Sequence, residues 1–232
     1  MNGFYAIAID GPSGAGKSSM AKRLAAAFNF IYVDTGAIYR TLGLACHRAG
    51  IDRKNVDAVM SVLRELEITL RYNKSGEQCM LLNGENVSRE IRLPEISLCA
   101  SDVSAHGEVR RFLLEMQRKF ARENNVVMDG RDIGTVVLPD AELKIYLTAS
   151  PEARARRRLN ELLEKGSAAS FEEVLRDIIR RDEQDTNRAA APLRKAEDAV
   201  ELDSSALNAE ETFALLCEIV IDRLALSPEE TP

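Results

Sequence analysis

The 232-residue sequence lacks the features that mark zinc-binding proteins and membrane proteins. It has only four cysteines and two histidines, with no C-x-x-C pair and no metal-ligand spacing, which argues against a zinc site. It also lacks a basic segment leading into a long apolar stretch, and no run approaches the roughly 20 apolar residues of a membrane span. We therefore expect reduced cysteines in packed positions, a cytoplasmic location and no association with membranes.

A surplus of positive charge is also missing. Lysine and arginine number 31 against 37 aspartates and glutamates, a net charge of -6, which argues against binding to a nucleic-acid polymer. The acid excess lies at the end of the chain. Residues 201–232 hold eight acidic residues and one basic residue, whereas residues 1–200 hold 29 acidic and 30 basic residues. Local positive clusters are therefore possible in the main body of the chain.

What the chain does contain is the pattern of a folded α/β protein. Hydrophobic residues make up 45% and charged residues 29%, close to the averages for globular proteins, and the length allows one large domain or one domain with insertions. Short apolar runs predict buried strands at residues 4–10, 30–33, 125–129, 143–147 and 199–203. Helical patterns cover residues 18–28, 37–48, 55–66, 94–104, 107–123, 151–165, 171–188 and 208–225. This alternation predicts a parallel sheet with helices on both faces.

The hydrophobic period changes near residues 67–90. Ile68–Tyr72 alternates like a half-exposed strand, residues 73–76 predict a turn, and Gln78–Leu82 predicts a returning strand. Asn83-Gly84 is a strong hairpin signal. These residues predict a small antiparallel sheet inserted into the alternating strands and helices.

A glycine-rich segment between the first strand and the first helix matches the phosphate-loop pattern G-x-x-x-x-G-K-[ST]. Glycines let backbone N–H groups turn toward phosphate oxygens, and the following helix presents its N-terminus to the same anion. The lysine of such a loop reaches the β- and γ-phosphates, and the hydroxyl can ligate Mg²⁺. We therefore predict nucleotide binding and a sheet of the P-loop NTPase type, in preference to a merely structural turn. The loop residues are Gly11, Pro12, Ser13, Gly14, Ala15, Gly16, Lys17 and Ser18.

The loop alone does not fix the reaction. A GTPase would also carry an N-K-x-D motif for its base, but Asn73-Lys74 is followed by Ser75-Gly76 in the predicted turn. The chain is also short for a motor or a helicase. A small-molecule kinase is therefore the leading class, and it requires a second anion site for the phosphoryl acceptor.

Arginines supply candidates for that second site. Arg40 lies just past the second predicted strand, and Arg131 lies just past the strand at residues 125–129. Ligands of parallel α/β sheets bind at the carboxyl ends of the strands, so we expect both arginines on the side of the phosphate loop. A further arginine-rich pair of helices spans residues 151–188. It is either a pair of salt-bridged surface helices or a mobile arm that brings arginines over transferring phosphates.

Four blocks of sequence together resemble the bacterial-type cytidylate kinases, over nearly the entire chain. The blocks are Ile9–Lys17, Asp34–Arg40, Asp129–Val137 and Arg181–Ala189, of which the second and third are much more specific than the phosphate loop. The resemblance implies transfer of the γ-phosphoryl group of ATP to CMP or dCMP, with Mg²⁺ accompanying the ATP. The insert near residues 67–90 also matches, because this family has an enlarged monophosphate-binding domain.

The resemblance implies roles for individual residues. ATP would be bound by the phosphate loop, Ser19, Arg154, Arg157 and Arg158. The acceptor phosphate would be bound by Thr35, Arg40, Arg131 and Arg188, the cytosine by Ser101, Arg110 and Asp132, and the ribose by Arg181 and Asp185. The catalytic set would be Lys17, Arg40, Arg131 and Arg188. Mg²⁺ would be ligated by Ser18, with Ser19 as the alternative hydroxyl.

The resemblance also implies a domain layout. The core would comprise residues 1–40, 106–153 and 183–232, the monophosphate-binding domain residues 41–105, and a helical lid residues 154–182. It further suggests a monomer. Two positions depart from the common family pattern: Thr35 stands where Ser is frequent, and Ser18-Ser19 follows Lys17 where Gly-Thr is often found. The alternatives are another phosphate-loop kinase, for a sugar or shikimate-like substrate, and a non-catalytic nucleotide-dependent switch.

Overall fold

Eight strands and eight α-helices occur in the described part of the chain, which comprises residues 4–74, 76–164, 166 and 168–228 of a computed structural model. In chain order they are β1 (Ala6–Asp10), α1 (Lys17–Ala27), β2 (Ile31–Asp34), α2 (Thr35–Arg48), α3 (Val56–Glu65), β3 (Ile68–Tyr72), β4 (Gln78–Leu82), β5 (Glu85–Asn86), α4 (Pro94–Ser104), α5 (Gly107–Glu123), β6 (Val126–Gly130), β7 (Leu143–Thr148), α6 (Pro151–Glu164), α7 (Phe171–Asn187), β8 (Val200–Asp203) and α8 (Ala209–Leu224). A 3-10 turn at Glu90–Arg92 precedes α4, and a π-helical turn at Ile133–Val137 precedes β7.

The chain forms two compact units. The first comprises residues up to Tyr32 together with those from Phe120 onward, and the second comprises Val33–Lys119. Several residues named in the sequence analysis lie outside the described ranges: Ser75 of the predicted turn, Lys165 and Ser167 of the predicted lid, and the acidic Glu229 and Glu230.

The first unit is built on a five-stranded sheet in the order β2-β6-β1-β7-β8. The pairs of β1 with β6, β1 with β7 and β7 with β8 are all parallel, and Ile7 lies between Val127 on one side and Leu143 on the other. All five residues of β1 are buried, as expected for a central strand covered on both faces. The predicted parallel α/β sheet of the P-loop type is confirmed.

Apolar side chains from the central strands and from α1 and α8 form the core of this unit. Ile7, Leu24 and Leu216 are fully buried in it. The helices α6 and α7 share a smaller core of their own, which includes Val174 and Ile178. Because the paired strands are parallel, β1, β6, β7 and β8 all end at the same edge of the sheet, where the phosphate loop and Arg131 begin.

The second unit consists of α2, α3, α4, most of α5 and a three-stranded sheet in the order β3-β4-β5. β3 and β4 are antiparallel, with Leu70 opposite Met80, and β5 contributes only Glu85–Asn86. α2 packs closely on α4, because Gly43 faces backbone there: a Cβ at this position would lie 2.8 Å from the Ala100 nitrogen. The predicted antiparallel insert is confirmed.

The predicted bounds of all these elements agree with the structure to within two residues. α2 begins at Thr35 rather than at residue 37, because the Asp34 side chain caps it by accepting a hydrogen bond from the Ala37 N–H at 2.9 Å. The 3-10 turn and the π-helical turn have no periodic apolar signal, and the sequence patterns do not predict them. Among the described helices, none is both long enough and apolar enough to cross a membrane.

Candidate active site

The phosphate loop turns sharply out of β1, and only glycine fits its first position. Gly11 has a φ of +148°, and a Cβ there would lie 2.0 Å from the Leu147 carbonyl oxygen on the neighbouring strand. The loop ends at Gly16, directly before α1. The first N–H groups of a helix favour an anion, so this loop has the geometry that the predicted phosphate site requires.

Lys17 is buried within this loop and donates a hydrogen bond from Nζ to the Pro12 carbonyl at 2.7 Å. Burial lowers the pKa of Lys17 well below its usual range, and the charge of Arg131 lowers it further, against the opposing influence of Asp129 and Asp185. The carboxylates of the protein do not offset the cost of burying this ammonium group. A bound polyphosphate would favour its charged form.

Ser18, Asp129 and Tyr32 form an oxygen-rich cluster at the start of α1. The Ser18 hydroxyl donates to Asp129 Oδ2 at 2.8 Å, and the Tyr32 hydroxyl donates to Asp129 Oδ1 at 2.9 Å. Hydroxyl and carboxylate oxygens are ligands that Mg²⁺ prefers, so this donor set fits the metal. Sequence reasoning does not single out Asp129, although its position supplies a signal: it is an acidic residue near the end of a buried strand that neighbours β1.

Four predicted acceptor residues of the first unit meet in two ion pairs. Arg131 Nε donates to Asp185 Oδ2 at 2.7 Å, and Arg188 Nη2 donates to Asp132 Oδ1 at 3.4 Å. None of these four side chains is more than 20% exposed. Burial raises the pKa of Asp185, but the charges of Arg131, Arg181 and Arg188 outweigh this effect and lower the pKa. Arg181 is therefore close enough to act on the same carboxylate.

A buried carboxylate organises the predicted acceptor residues of the second unit. Asp34 accepts hydrogen bonds from Arg40 Nη2 at 2.7 Å and from Arg92 Nη2 at 3.0 Å. Burial raises the pKa of Asp34, but these two guanidinium groups outweigh this effect and lower the pKa. The buried Nε of Arg40 has no hydrogen-bond partner among the described residues, which is uncommon for a buried donor. Sequence reasoning singles out neither Asp34 nor Arg92.

Gln78 on β4 holds the backbone of Asp34. Its Oε1 accepts a hydrogen bond from the Asp34 N–H at 2.8 Å, and its Nε2 donates to the Asp34 carbonyl at 3.3 Å. The antiparallel insert therefore fixes the residue that holds Arg40. No sequence pattern indicates this contact, because the two residues are 44 positions apart in the chain.

The other predicted residues of the second unit lie on three helices. Thr35 is the buried first residue of α2, Ser101 is half-buried on α4, and Arg110 is buried on α5. The guanidinium carbon of Arg110 lies 5.2 Å from the centre of the Tyr39 ring. Arg110 also donates to the Ser104 carbonyl at 3.3 Å. The structure thus brings Arg110 against α2 and leaves Ser101 one turn of α4 before that carbonyl.

Arg154, one of the three predicted lid arginines, is buried against the phosphate loop. It donates to the Ser13 carbonyl at 3.0 Å and pairs with Asp182 of α7 at 2.6 Å. A cavity of about 360 Å³ lies beside it, with Pro12 and Asp203 among its lining residues. These contacts join both predicted lid helices to the loop.

Arg157 and Arg158 have different surroundings. Arg157 donates to the Ser204 hydroxyl at 3.2 Å and to the Ser204 carbonyl, just after β8. Arg158 pairs with Glu161 one turn further along α6 at 2.9 Å, and its side chain is 42% exposed. Of the three arginines, the structure therefore brings Arg154 to the phosphate loop, ties Arg157 to the segment after β8, and leaves Arg158 on the surface.

Comparison with known proteins identifies the family. Residues 7–222 match the family model described as cytidylate kinase. A cytidylate kinase from Geobacter sp. (strain M21) is 50% identical over 220 residues, which is 94% of either chain. A cytidylate kinase from Carboxydothermus hydrogenoformans is 48% identical over 214 residues, 92% of this chain and 96% of that protein. A solved shikimate kinase from Bacteroides thetaiotaomicron aligns with 96% of this chain and 99% of its own, at 15% identity and a TM-score of 0.46. From the family match and the identity to these relatives, the chain belongs to the cytidylate kinase family.

Proposed function

We propose that this protein is an ATP-dependent nucleoside monophosphate kinase that transfers the γ-phosphoryl group of ATP to CMP or dCMP, giving ADP and CDP or dCDP. The observation that carries the proposal is the occurrence, in one unit, of a phosphate loop and two buried arginine–aspartate pairs. The loop fits a nucleoside triphosphate. The pairs fit a second ligand that has both an anionic phosphate and hydrogen-bond donors. Membership of the cytidylate kinase family supports the identity of that ligand.

The proposed reaction needs no general base, because the attacking oxygen of CMP belongs to an anionic phosphate. Catalysis then consists mainly of positioning and charge stabilisation. Lys17 and the loop N–H groups hold the donor, and Arg40, Arg131 and Arg188 hold the acceptor in line with it. A guanidinium group has five N–H donors, so Arg131 keeps donors for a phosphate while its Nε bonds to Asp185.

Asp132 is the proposed reader of the base. The exocyclic amine of cytosine is a donor, whereas uracil presents a carbonyl at the same place, so a carboxylate accepts from the first and repels the second. Ser101 and Arg110 would complete the base site, and Thr35 the phosphate site. Arg181 and Asp185 would meet the ribose, and use of dCMP requires that the contact to the 2′-hydroxyl is dispensable.

Mg²⁺ is the proposed metal, with Ser18 and Asp129 as its protein ligands or as holders of its waters. Ser18 is favoured over Ser19 because its hydroxyl lies 2.8 Å from Asp129 Oδ2. When bound, the metal neutralises charge on the β- and γ-phosphates. Tyr32, which donates to the other oxygen of Asp129, orients that carboxylate.

We further propose that residues 154–182 form a lid over ATP, with the rest of the chain divided into a core (1–40, 106–153 and 183–232) and a monophosphate-binding domain (41–105). The small core shared by α6 and α7 supports a hairpin that moves as one piece. One or more of Arg154, Arg157 and Arg158 would contact the ATP phosphates on closure.

We also propose a monomer that works in the cytoplasm, where the four free thiols stay reduced.

A coupled assay of ADP release tests the function, with ATP and Mg²⁺ as donor and CMP, dCMP, UMP, AMP or shikimate as acceptor. CMP and dCMP should give the fastest release. A preference for shikimate would identify another phosphate-loop kinase, and release that no acceptor stimulates would identify a nucleotide-dependent switch.

Asp132→Ala should lose selectivity for CMP over UMP more than affinity for ATP. An unchanged preference for CMP would remove Asp132 from the base site.

A further inference from the structure

Asp10 is a buried carboxylate to which the mechanism above gives no role. It is the last residue of β1, immediately before the phosphate loop, and is 5% exposed. Its two oxygens accept hydrogen bonds from the Ile133 N–H at 2.8 Å and from the Gly134 N–H at 2.7 Å. These two residues directly follow Asp132. One side chain therefore joins the start of the donor loop to the segment that carries the proposed acceptor residues.

The segment that Asp10 holds is the π-helical turn Ile133–Val137. Such turns are rare and occur mostly at functional sites. The carbonyl of Asp132 accepts from the N–H groups of Val136 and Val137 at 2.9 and 3.1 Å, so the turn winds directly onto Asp132. The first N–H groups of a helical turn point away from its own carbonyls. The Asp10 carboxylate caps two of them and thereby fixes where the turn begins.

Core packing does not explain a charged group at this position. The preceding residue, Ile9, is completely buried, and an apolar side chain at residue 10 would avoid the cost of burying a carboxylate. Burial raises the pKa of Asp10 to about 6 although both N–H bonds favour its ionised form. The burial of Asp10 is unfavourable for folding, yet its oxygens accept from two consecutive N–H groups. This combination indicates that Asp10 fixes the position of residues 133 and 134.

We propose that Asp10 is a positioning residue for the acceptor: by fixing the N–H groups of Ile133 and Gly134, it sets where Arg131 and Asp132 present their side chains to CMP. The inference rests on the proposed function. Asp10 contacts neither substrate in that mechanism and is therefore not a catalytic residue. The phosphate loop takes its own shape from the close approach of Gly11 to the Leu147 carbonyl. Loss of the Asp10 carboxylate should therefore weaken acceptor binding more than ATP binding, for which the only change is the loss of a nearby negative charge at Lys17.

The test is Asp10→Asn in the full chain. Asparagine has nearly the same size, but it offers one oxygen acceptor, and its NH₂ group then faces the second N–H donor. We expect the KM for CMP to rise about tenfold, as for loss of a hydrogen bond to a charged group, and the preference for CMP over UMP in kcat/KM to fall. The KM for ATP should change by less than about twofold, because the loop keeps its contacts.

Ile9→Val is the matched control. It removes one buried methylene group from the same strand, so it also destabilises β1, but it leaves the contact with residues 133 and 134 in place. Both KM values should stay at their wild-type levels in this variant. A merely structural Asp10 would lower the folded fraction and thus the apparent kcat, with the KM for CMP unchanged, because KM does not depend on enzyme concentration. That result, or equal rises in both KM values, would overturn the inference.

A second variant, Gly134→Ala, approaches the same contact from the other side and serves if Asp10→Asn does not fold. A Cβ at Gly134 would lie 3.1 Å from Lys144 Cδ and 3.4 Å from Asp10 Oδ2, so the added methyl group crowds the Lys144 side chain and touches the carboxylate itself. A selective rise in the KM for CMP would support the inference, and equal rises in both KM values would overturn it. If the wild-type protein does not phosphorylate CMP at all, the proposed function fails instead, so the two failures are distinguishable.

Discussion

Asp10 and Asp34 are both buried carboxylates, yet the balance of burial against their partners moves their pKa values in opposite directions. Burial raises the pKa of Asp10 to about 6, because its hydrogen-bond donors are two neutral N–H groups. Burial also raises the pKa of Asp34, but the charges of Arg40 and Arg92 more than offset it. The ionised form of Asp34 therefore stabilises the fold, and this stabilisation is lost only as the pH falls below the usual pKa of a carboxyl group. The ionised form of Asp10, in contrast, destabilises the fold.

The raised pKa of Asp10 predicts a pH-dependent stability difference between the wild-type protein and Asp10→Asn. Between 3.8, its value in an unfolded chain, and about 6, the folded protein binds more protons than the unfolded chain, so stability falls as the pH rises. Relative to the variant, the free energy of unfolding of the wild type should fall by about 2 kcal/mol from about pH 4 to about pH 7. Urea denaturation at both pH values measures this. Lys17 and Asp132 act on the same carboxylate and are unchanged in the variant, so a constant difference would contradict the raised pKa.

Two adjacent serines allow a matched test of the metal site. Ser18→Ala removes the hydroxyl that contacts Asp129, and we expect the Mg²⁺ concentration for half-maximal activity to rise by roughly tenfold. Ser19→Ala makes the same chemical change one position further along α1 and should leave this concentration unchanged. Titration of activity with Mg²⁺ at fixed ATP measures both. A larger effect of Ser19→Ala would assign the metal to Ser19.

Single residues of the site could be predicted from sequence only where a motif names them. Arg131 and Asp185 belong to recognisable blocks, but their pairing joins positions 54 residues apart and leaves no local pattern. Asp10 and Asp129 also lie in those blocks. Their importance depends on partners 123 and 111 positions away, so composition and periodicity give no sign of it.

At the scale of elements, local patterns were sufficient for strands and helices because burial repeats with a period that the sequence preserves. The strand β1 is buried on both faces and reads as a continuous apolar run, and α2 begins where Asp34 caps it. What periodicity does not reveal is the purpose of the antiparallel insert. The contact made by Gln78 indicates one, because its side-chain amide forms hydrogen bonds with both the N–H and the carbonyl of Asp34.

Gln78→Leu tests whether the insert supports the acceptor site. Leucine has a similar volume but makes neither hydrogen bond, so Asp34, and with it Arg40, should be less well held. We expect the KM for CMP to rise about fivefold, the effect of losing a net hydrogen bond or two, with the KM for ATP unchanged. Steady-state kinetics with CMP varied at saturating ATP give the value.

Cys79→Ser is the control for that experiment, since it alters the next residue of β4 without touching Asp34. Its KM for CMP should equal that of the wild type. If Gln78→Leu likewise left the KM for CMP unchanged, the insert would have no part in holding Arg40.

For the molecule as a whole, the proposed lid predicts that ATP turnover depends on the acceptor. Closure over both substrates would exclude water from the γ-phosphate, so ATP without CMP should be hydrolysed at least about tenfold more slowly than it is consumed with CMP. ADP release measured with and without CMP gives the ratio. Equal rates would refute a lid-gated transferase.

The net charge of -6 describes the whole molecule poorly, because the excess of acidic residues lies in residues 201–232. The acids of the last helix face the surface, where Glu210 pairs with Arg23 of α1. Arg131 and Arg188, by contrast, are paired with Asp185 and Asp132, and Arg131 directly follows β6 at the carboxyl edge of the sheet. The average charge therefore argues against a nucleic-acid polymer as ligand but says little about the local field that a small ligand meets.

The two buried pairs, Arg131 with Asp185 and Arg188 with Asp132, have a consequence for competition among anions in the cell. A pocket of unneutralised arginines would fill with whatever anion is most abundant. Here each of these two guanidinium groups already has a carboxylate partner, which lowers the net positive charge that a free inorganic phosphate would meet. In the proposed function, a nucleotide would engage the arginines with its phosphate while its amine and hydroxyl groups bond to the aspartates. The aspartates of the proposed acceptor site would then favour a nucleotide over inorganic phosphate.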